Sequence, residues 1–487
     1  MADRLRFDVT AVAPKADLTV VPVFEGRRLG PGGAEAERAH GGRFADAMKR
    51  HDVTGKAHET LMIPGAEGAV LLVGVGPAAD VDLRALRDAA MLAGGAARPF
   101  GRVVTALPQI LPGVLAVQAF AEGFLLGAYR FDGRKTSPDP HRTTRVTVLV
   151  PKEAAADTKR GLKQGAITGR ATNWARDLTN ASSSDATPEF LAEEARSMAK
   201  ASGLTCKIWT KSQLERGGFG GILGVGSGGA NEPRLVELGH TGGRSKKPIA
   251  ITGKGITFDS GGLDLKKPAH MVWMRSDKAG GAAALAAMRA IAELGVKANV
   301  IAAVPFAENL PGPAAVKPGD VLVHRGGRTS EVIDTDAEGR VLVADALAFL
   351  SEREPAVILD SATLTDASGL GADLHATFAS DRDLAAEFLA AAEEAGEPGW
   401  EIPLWSRYRP LIDSPVADVK NLGSHDIDSS MMAALFLQDF VGNGVPWVHV
   451  DSGSSAWAEY PTALWPEGAT GLPTRAFVRF VQRRAGS

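Results

Sequence analysis

Two stretches of this chain set carboxylates and cations beside glycines at the ends of apolar runs, where an α/β sheet opens its ligand crevice. The first, ITGKGITFDSGGLDLKKP (residues 251–268), carries Lys254, Asp259, the triplet Ser260-Gly261-Gly262 and Lys266 after an apolar strand, and Asp277 follows in MRSDKAGG. The second, EVIDTDAEGRVLVADAL (residues 331–347), crowds Asp334, Asp336 and Glu338 ahead of Arg340. Brought into one pocket, Asp259, Asp277, Asp336 and Glu338 would repel and raise one another's pKa values unless cations stood between them. Divalent metals remove that conflict. A pair of ions about 3.5–4 Å apart, held by bridging carboxylates, activates a shared water and polarises a carbonyl. One lysine amine could coordinate if the metal holds it deprotonated, while the other stays protonated to stabilise developing negative charge. Plainer readings also exist. Ser260-Gly261-Gly262 reads as a simple turn, Asp336 as a helix N-cap, and Glu338 with Arg340 as a surface ion pair.

Taken together, the two stretches resemble the leucyl aminopeptidases, the cytosolic dinuclear-metal exopeptidases. Their signature Asn-Thr-Asp-Ala-Glu-Gly-Arg reads DTDAEGR at 334–340, and their first metal segment reads GKGITFDSGG at 253–262. EGFLLGAYRFDGRK (122–135), NWARDLTNASSSDATPEF (173–190), VGSGGANEPRL (225–235), SATLT (361–365), AALFLQDF (433–440) and GATGLPTR (468–475) look like family segments in family order. The resemblance implies Lys254, Asp259, Asp277, Asp336 and Glu338 as ligands of two divalent ions, manganese or zinc, with Asp259 and Glu338 bridging. It further implies Lys266 as the cation that polarises the scissile carbonyl, and Arg340 as the holder of a bicarbonate that relays a proton. Met274, Thr363, Leu364, Thr365 and Ala367 would line the pocket for the substrate's N-terminal side chain. Peptides with a free N-terminus are the implied substrates, and a homohexamer of two trimers the implied assembly. Asp334 stands where the family has Asn, Lys278 where a Met or small residue is common, and Asp366 where a Gly is usual; HDIDSS (425–430) lacks the usual Ala-Gly. No ligand position is altered, so these departures bear on side-chain preference rather than on the chemistry.

The elements that must position these residues follow from periodicity. FDVTAVAP, LTVVPVF, GAVLLVGVG, VVTALP and TRVTVLVP read as strands, alternating with helices at 83–97 and 114–127, which predicts an α/β unit with at least partly parallel strands. A long helix at 152–177 connects it to a larger α/β unit. There LTCKIWT, LVELGH, PIAITGKG, ANVIAAVPF, AVILDSATL and PWVHVDSG read as strands, and 279–294, 340–351 and 431–441 as helices. The expected organisation is a smaller N-terminal α/β domain at 1–151, a connecting helix at 152–177 and a catalytic α/β domain with a mixed central sheet at 178–487.

Composition sets the outer limits. The 487 residues are 45% hydrophobic and 23% charged, ordinary for a globular chain and wrong for collagen, coiled coil or disorder. The single Cys206 excludes an internal disulfide framework and fits a reducing compartment; in its apolar run it reads as a buried small hydrophobe. A net charge of −3 leaves no electrostatic footprint for nucleic acid. No run is apolar for long enough to span a membrane, and the charged N-terminus lacks a secretory core, so the expected address is the cytoplasm. Lys254 is followed by Gly255 rather than Ser or Thr, which departs from a phosphate loop, and GVGSGG at 224–229 is too short to imply a dinucleotide fold. Ser260, Ser276 and Ser361 lie in no G-x-S-x-G elbow, and His270, His425 and His449 belong to no H-E-x-x-H pair. A non-enzymatic scaffold or nucleic-acid regulator of the same fold is the alternative, but it gives no reason for five ligands, Lys266 and Arg340 to stand together.

Overall fold

Short apolar runs and longer amphipathic ones alternate along the chain, and the computed structural model folds them into an α/β protein, describing residues 5–66, 68–138, 141–365, 369–371, 373–423, 427–442 and 444–486. The chain divides into two compact units, residues 1–173 with 461–466 and residues 174–460 with 467–487.

In the first unit the strands are β1 (Arg6–Thr10), β2 (Leu18–Phe24), β3 (Arg28–Leu29), β4 (Thr60–Ile63), β5 (Ala69–Gly76), β6 (Arg102–Thr105) and β7 (Arg145–Leu149). Their order is β1-β7-β6-β2-β5-β4, with β3 beside β2. The run from β1 to β5 is parallel, and β4 closes one edge antiparallel. LTVVPVF and AVLLVGVG are almost continuously buried, as parallel strands covered by other layers must be. Helices Leu83–Ala97 and Val114–Ala128 supply much of that cover, the first started by Asp82, which accepts a hydrogen bond from Ala85 N at 2.8 Å.

The second unit holds β8 (Thr205–Trp209), β9 (Arg234–Thr241), β10 (Ile249–Gly253), β11 (Gly255–Asp259), β12 (Asn299–Asn309), β13 (Val321–Val323), β14 (Thr329–Glu331), β15 (Val357–Ala362), β16 (His375–Ala379), β17 (Gly399–Glu401), β18 (Val419–Lys420) and β19 (Trp447–Asp451). The main sheet runs β17-β16-β19-β15-β10-β12-β9-β8, with β11 also on β12, while β13, β14 and β18 form a small sheet of their own. At its centre β19, β15, β10 and β12 are parallel, and β16 and β9 pair antiparallel on either side, so the sheet is mixed. β10, β15 and β19 are buried at every position. Helices Ala279–Leu294 and Glu338–Ser351 pack on this sheet with nearly all their small and branched side chains covered.

Three sequence expectations are corrected here. PIAITGKG, read as one strand, ends at Gly253, and a second strand starts at Gly255. The helix read from 340 begins two residues earlier, at Glu338. Cys206 is half-exposed, because β8 is an edge strand with cover on one side only. His449 belongs to the core: its Nδ1 lies 2.6 Å from Asp360 Oδ1, and Trp447 Nε1 donates to Asp360 Oδ2 at 2.5 Å. No helix among the described residues is long and apolar enough to cross a membrane.

His375 on β16 makes this core sensitive to acid. Its ring is fully buried, with Nε2 3.0 Å from the Glu397 carbonyl and Nδ1 3.1 Å from Thr377 Oγ1. Burial pulls its pKa from 6.5 down to about 4. Below 6.5 the unfolded chain takes up a proton that the folded chain refuses until about 4, so this contribution is whole above pH 6.5 and lost as pH falls towards 4. A shift of this size corresponds to on the order of 3 kcal/mol. His375→Asn is therefore expected to be less stable than wild type at pH 7, with the gap in urea midpoint narrowing between pH 6.5 and 4. A constant gap across that range would place the acid sensitivity elsewhere.

Candidate metal centre

Lys254 occupies the break between β10 and β11, where the chain leaves β15 and continues along β12. Its backbone is held on both sides: Lys254 N donates to Ser361 O at 2.9 Å, and Gly281 N donates to Lys254 O at 2.7 Å. The side chain passes directly over Gly339, where an added Cβ would lie 2.4 Å from Lys254 Cε, so any larger residue there would displace the Lys254 amine from its place between the acids. β11 ends on Asp259. Gly261 and Gly262, at φ 88° and 65°, then turn the chain back towards Lys266, whose N–H donates to Ser260 O at 2.9 Å. Asp277 sits in the single tight turn Met274–Lys278 that leads into helix Ala279–Leu294. Asp336 and Glu338 come from the loop and first turn of helix Glu338–Ser351. Asp345 anchors that helix by accepting from Ile222 N and Arg325 N, each at 2.8 Å.

These elements bring the acids together. Asp259, Asp336 and Glu338 present oxygens that lie within 4.8 Å of one another. Lys254 Nζ is 2.7 Å from Asp277 Oδ2, 2.8 Å from Glu338 Oε1 and 3.0 Å from the Thr363 carbonyl. Lys266 Nζ is 2.8 Å from Asp259 Oδ2 and also touches Asp336 Oδ1. Each ammonium thus straddles one pair of carboxylates, with Lys254 at 4% side-chain exposure and Lys266 at 14%.

The electrostatics follow from four acids sharing two ammoniums. Burial, and then the neighbouring Asp259, lift Glu338 well above the usual carboxylate range. Burial also raises Asp277 against the pull of Lys254, and burial with Asp259 pushes Asp336 up to about 6. For Lys254, burial opposes the charge but Asp277, Glu338 and Asp259 outweigh it, so its proton is held more tightly than usual. Lys266 is held in the same sense, mainly by Asp259 and Glu338. Among the described residues, the lysine ammoniums are the only partners of Asp277 Oδ2, Asp336 Oδ1 and Glu338 Oε1, and no donor reaches Glu338 Oε2. Buried carboxylate oxygens in negative excess and short of donors fit divalent cations that take oxygen ligands.

Ser260-Gly261-Gly262 is indeed a turn, but the other two plainer readings do not match this geometry. Ala337, not Asp336, holds the N-cap position, and the Asp336 side chain meets Lys266. Glu338 and Arg340 are both buried. Arg340 donates from Nη1 to Asn421 O at 2.9 Å, while its buried Nε finds no acceptor, and no carboxylate among the described residues pairs with it. Burial lowers its pKa, against the influence of Asp451, Glu338 and Asp334. A buried guanidinium without a counter-ion can receive an anion.

Met274 opens the turn that carries Asp277. Thr363 reaches Lys254 through its carbonyl and donates from Oγ1 to Asp277 Oδ1 at 2.7 Å. Leu364 N and Thr365 Oγ1 donate to Asp451, at 3.2 and 2.7 Å. Ala367, Asp366 and His425 lie outside the described residues. Asp334 accepts from Asp336 N at 2.7 Å, which shapes the ligand loop. Lys278 donates to the carbonyls of Arg275 at 2.6 Å and Ala181 at 3.1 Å rather than to the acids; burial, with Arg275, lowers its pKa to about 7 against the pull of Asp277.

Spacing alone missed Asn309, Thr335, Asn421 and Asp451. Asn421 grips the second acidic segment, accepting from Ile333 N at 2.8 Å and donating to Asp334 O at 2.6 Å. Thr335 lies within DTDAEGR itself, where its neighbours drew the attention, while Asn309, Asn421 and Asp451 lie far along the chain from the groups they hold and nothing in their local sequence marks them.

The chain matches two family models: "Cytosol aminopeptidase family, catalytic domain" over residues 173–478 and "Cytosol aminopeptidase family, N-terminal domain" over residues 20–138. It is 40% identical over 450 residues to the "Probable cytosol aminopeptidase" of Roseiflexus castenholzii, covering 89% of this chain and 92% of that protein. Among solved structures, "Bottromycin maturation enzyme BotP in complex with Mn" is 34% identical with a TM-score of 0.86, covering 96% of this chain and all of that one. A tomato leucine aminopeptidase mutant is 26% identical with a TM-score of 0.88, covering 98% of this chain and 96% of that one.

Proposed function

The chain belongs to the cytosol aminopeptidase family and is a metal-dependent aminopeptidase, and from that premise we propose that Lys254, Asp259, Asp277, Asp336 and Glu338 hold two divalent ions at which N-terminal residues are cleaved from peptides. The observation that carries this reading is the set of buried carboxylate oxygens, short of donors, that two lysines straddle. In it Asp259 and Glu338 would be the ligands common to both ions. Manganese and zinc are the proposed metals, and the manganese complex of the similar BotP supports the first. When bound, the ions supply Lewis-acid polarisation of the scissile carbonyl and a water nucleophile usable at neutral pH.

The chain's own groups do the rest. Lys254, the deeper lysine, holds its proton tightly while the acids alone surround it; it would lose that proton to solvent when an ion takes its place among them, and would then hold the ion as an amine beside Asp277 and Glu338. Lys266, less buried, keeps its ammonium and donates to the oxygen on which negative charge develops. Arg340, buried and with no carboxylate paired to it among the described residues, would hold a bicarbonate, a group able to accept a proton beside the site. Met274, Thr363, Leu364, Thr365 and Ala367 receive the substrate's first side chain. In this reading residues 178–487 are the catalytic domain, 152–177 the connecting helix and 1–151 the N-terminal domain; the enzyme is a cytoplasmic homohexamer.

A panel of aminoacyl chromogenic amides, assayed before and after chelation and with each metal restored, tests the proposal. Chelation should abolish hydrolysis with the far-ultraviolet circular dichroism retained, manganese or zinc should restore it, and N-acetylated amides should resist cleavage. Hydrolysis by protein shown by elemental analysis to lack metal would overturn it.

A further inference from the structure

We propose that Asn309 is a positioning residue that fixes which oxygen of Asp259 faces the metal site and locks the two ligand segments at their working separation; the inference rests on the metal assignment above. Asn309 is the last residue of β12 and pairs in register with Asp259, the last residue of β11, just past a slip in the ladder between Ile256 and Asp259. It is buried, with 2% exposure. Its side-chain amide donates to Asp259 Oδ1 at 2.8 Å and to the Thr335 carbonyl at 3.0 Å. Gly261 N donates to the same Oδ1 at 2.9 Å. With two donors on Oδ1, the carboxylate is held in one rotamer and turns Oδ2 towards Lys266 and the other acids.

The second bond of the amide reaches the other ligand segment. Thr335 immediately precedes Asp336, and its hydroxyl donates back to Gly261 O at 2.7 Å. Asp264 closes the joint: Thr335 N donates to Asp264 Oδ2 at 2.7 Å, and Asp264 N donates to Thr335 Oγ1 at 2.9 Å. The Asn309 carbonyl also accepts from Ser260 N and Oγ, at 3.0 and 2.8 Å. An NH₂ group can serve both acceptors at once, which neither a carboxylate nor an aliphatic side chain can do. Asn309 thus acts through Asp259, as an outer partner whose loss typically costs about 10–100-fold in metal affinity or activity.

The test uses the full-length enzyme, chelated and then titrated with Co²⁺ and Mn²⁺, comparing wild type, Asn309→Leu, Asn309→Ser, Asp259→Ala and the double variant with Asn309→Leu. Asn309→Leu should weaken metal binding about 10–100-fold, alter the visible Co²⁺ spectrum, and lower kcat more than it changes KM. Asn309→Ser decides the matter should the leucine variant not fold. Added to Asp259→Ala, Asn309→Leu should cause a smaller further loss than it causes alone, since only its bond to the Thr335 carbonyl is then left to lose. If Asp259→Ala loses metal while the Asn309 variants bind with wild-type affinity and spectrum, this proposal is overturned alone. If Asp259→Ala itself binds as wild type, the metal assignment falls, and this inference with it.

Discussion

Glu338→Ala is expected to lose turnover by more than the roughly 10²-fold that removing an outer partner of a ligand typically costs, and to lose bound metal with it. Glu338 stands at the centre of the cluster, 2.8 Å from Lys254 and within reach of Asp259 and Asp336. The isosteric Glu338→Gln separates function from folding. Burial and the adjacent Asp259 raise the Glu338 pKa well above its ordinary value, so at neutral pH its ionised form destabilises the fold when no cation balances it. A neutral amide of the same shape removes that penalty, and Lys254 keeps Asp277 and the Thr363 carbonyl as partners. In the presence of chelator, Glu338→Gln should therefore melt at or above wild type while losing activity under metal-replete conditions. Full metal content with a near-normal rate would move the centre elsewhere. A marked fall in the chelated melting temperature would instead make Glu338 a structural partner of Lys254.

The two lysines should fail in different ways. Lys266→Ala removes the more exposed ammonium, assigned to the developing oxyanion, and should lower turnover about 10²–10³-fold with metal content near normal. Lys254→Ala removes the deeper amine, placed between Asp277 and Glu338 and against Thr363, and should lower metal content first. Each ammonium straddles two carboxylates and burial opposes the charge on both, so elemental analysis beside kinetics on the two variants is what tells the roles apart. Metal lost from Lys266→Ala and kept by Lys254→Ala would reverse the assignment, and circular dichroism would reveal a common loss of folding.

Much of this was readable before any tertiary contact was known. LTVVPVF is β2 to the residue, and helices Leu83–Ala97 and Ala279–Leu294 begin and end where their patterns do, because burial of a strand or a helix face is written into local periodicity. The alternation of those patterns determined the two-part α/β architecture, and DTDAEGR with GKGITFDSGG determined the family, since side-chain types at close spacing are a property of the chain alone.

What only the tertiary structure decided is which of those groups meet. Asp259 and Asp336 come from different segments, and their approach depends on the register of β11 against β12 and on Asn309, Thr335 and Asp264 closing the joint. The break that turns Lys254 inward arises because β10 pairs with β15 and β11 with a later part of β12, a choice made by strands distant in sequence. That Arg340 meets no paired carboxylate among the described residues, and that Asn421 grips the ligand loop, depend likewise on segments that loop closure brings together. Periodicity records which face of an element is buried; the partner across that face is settled by register and packing between distant parts of the chain.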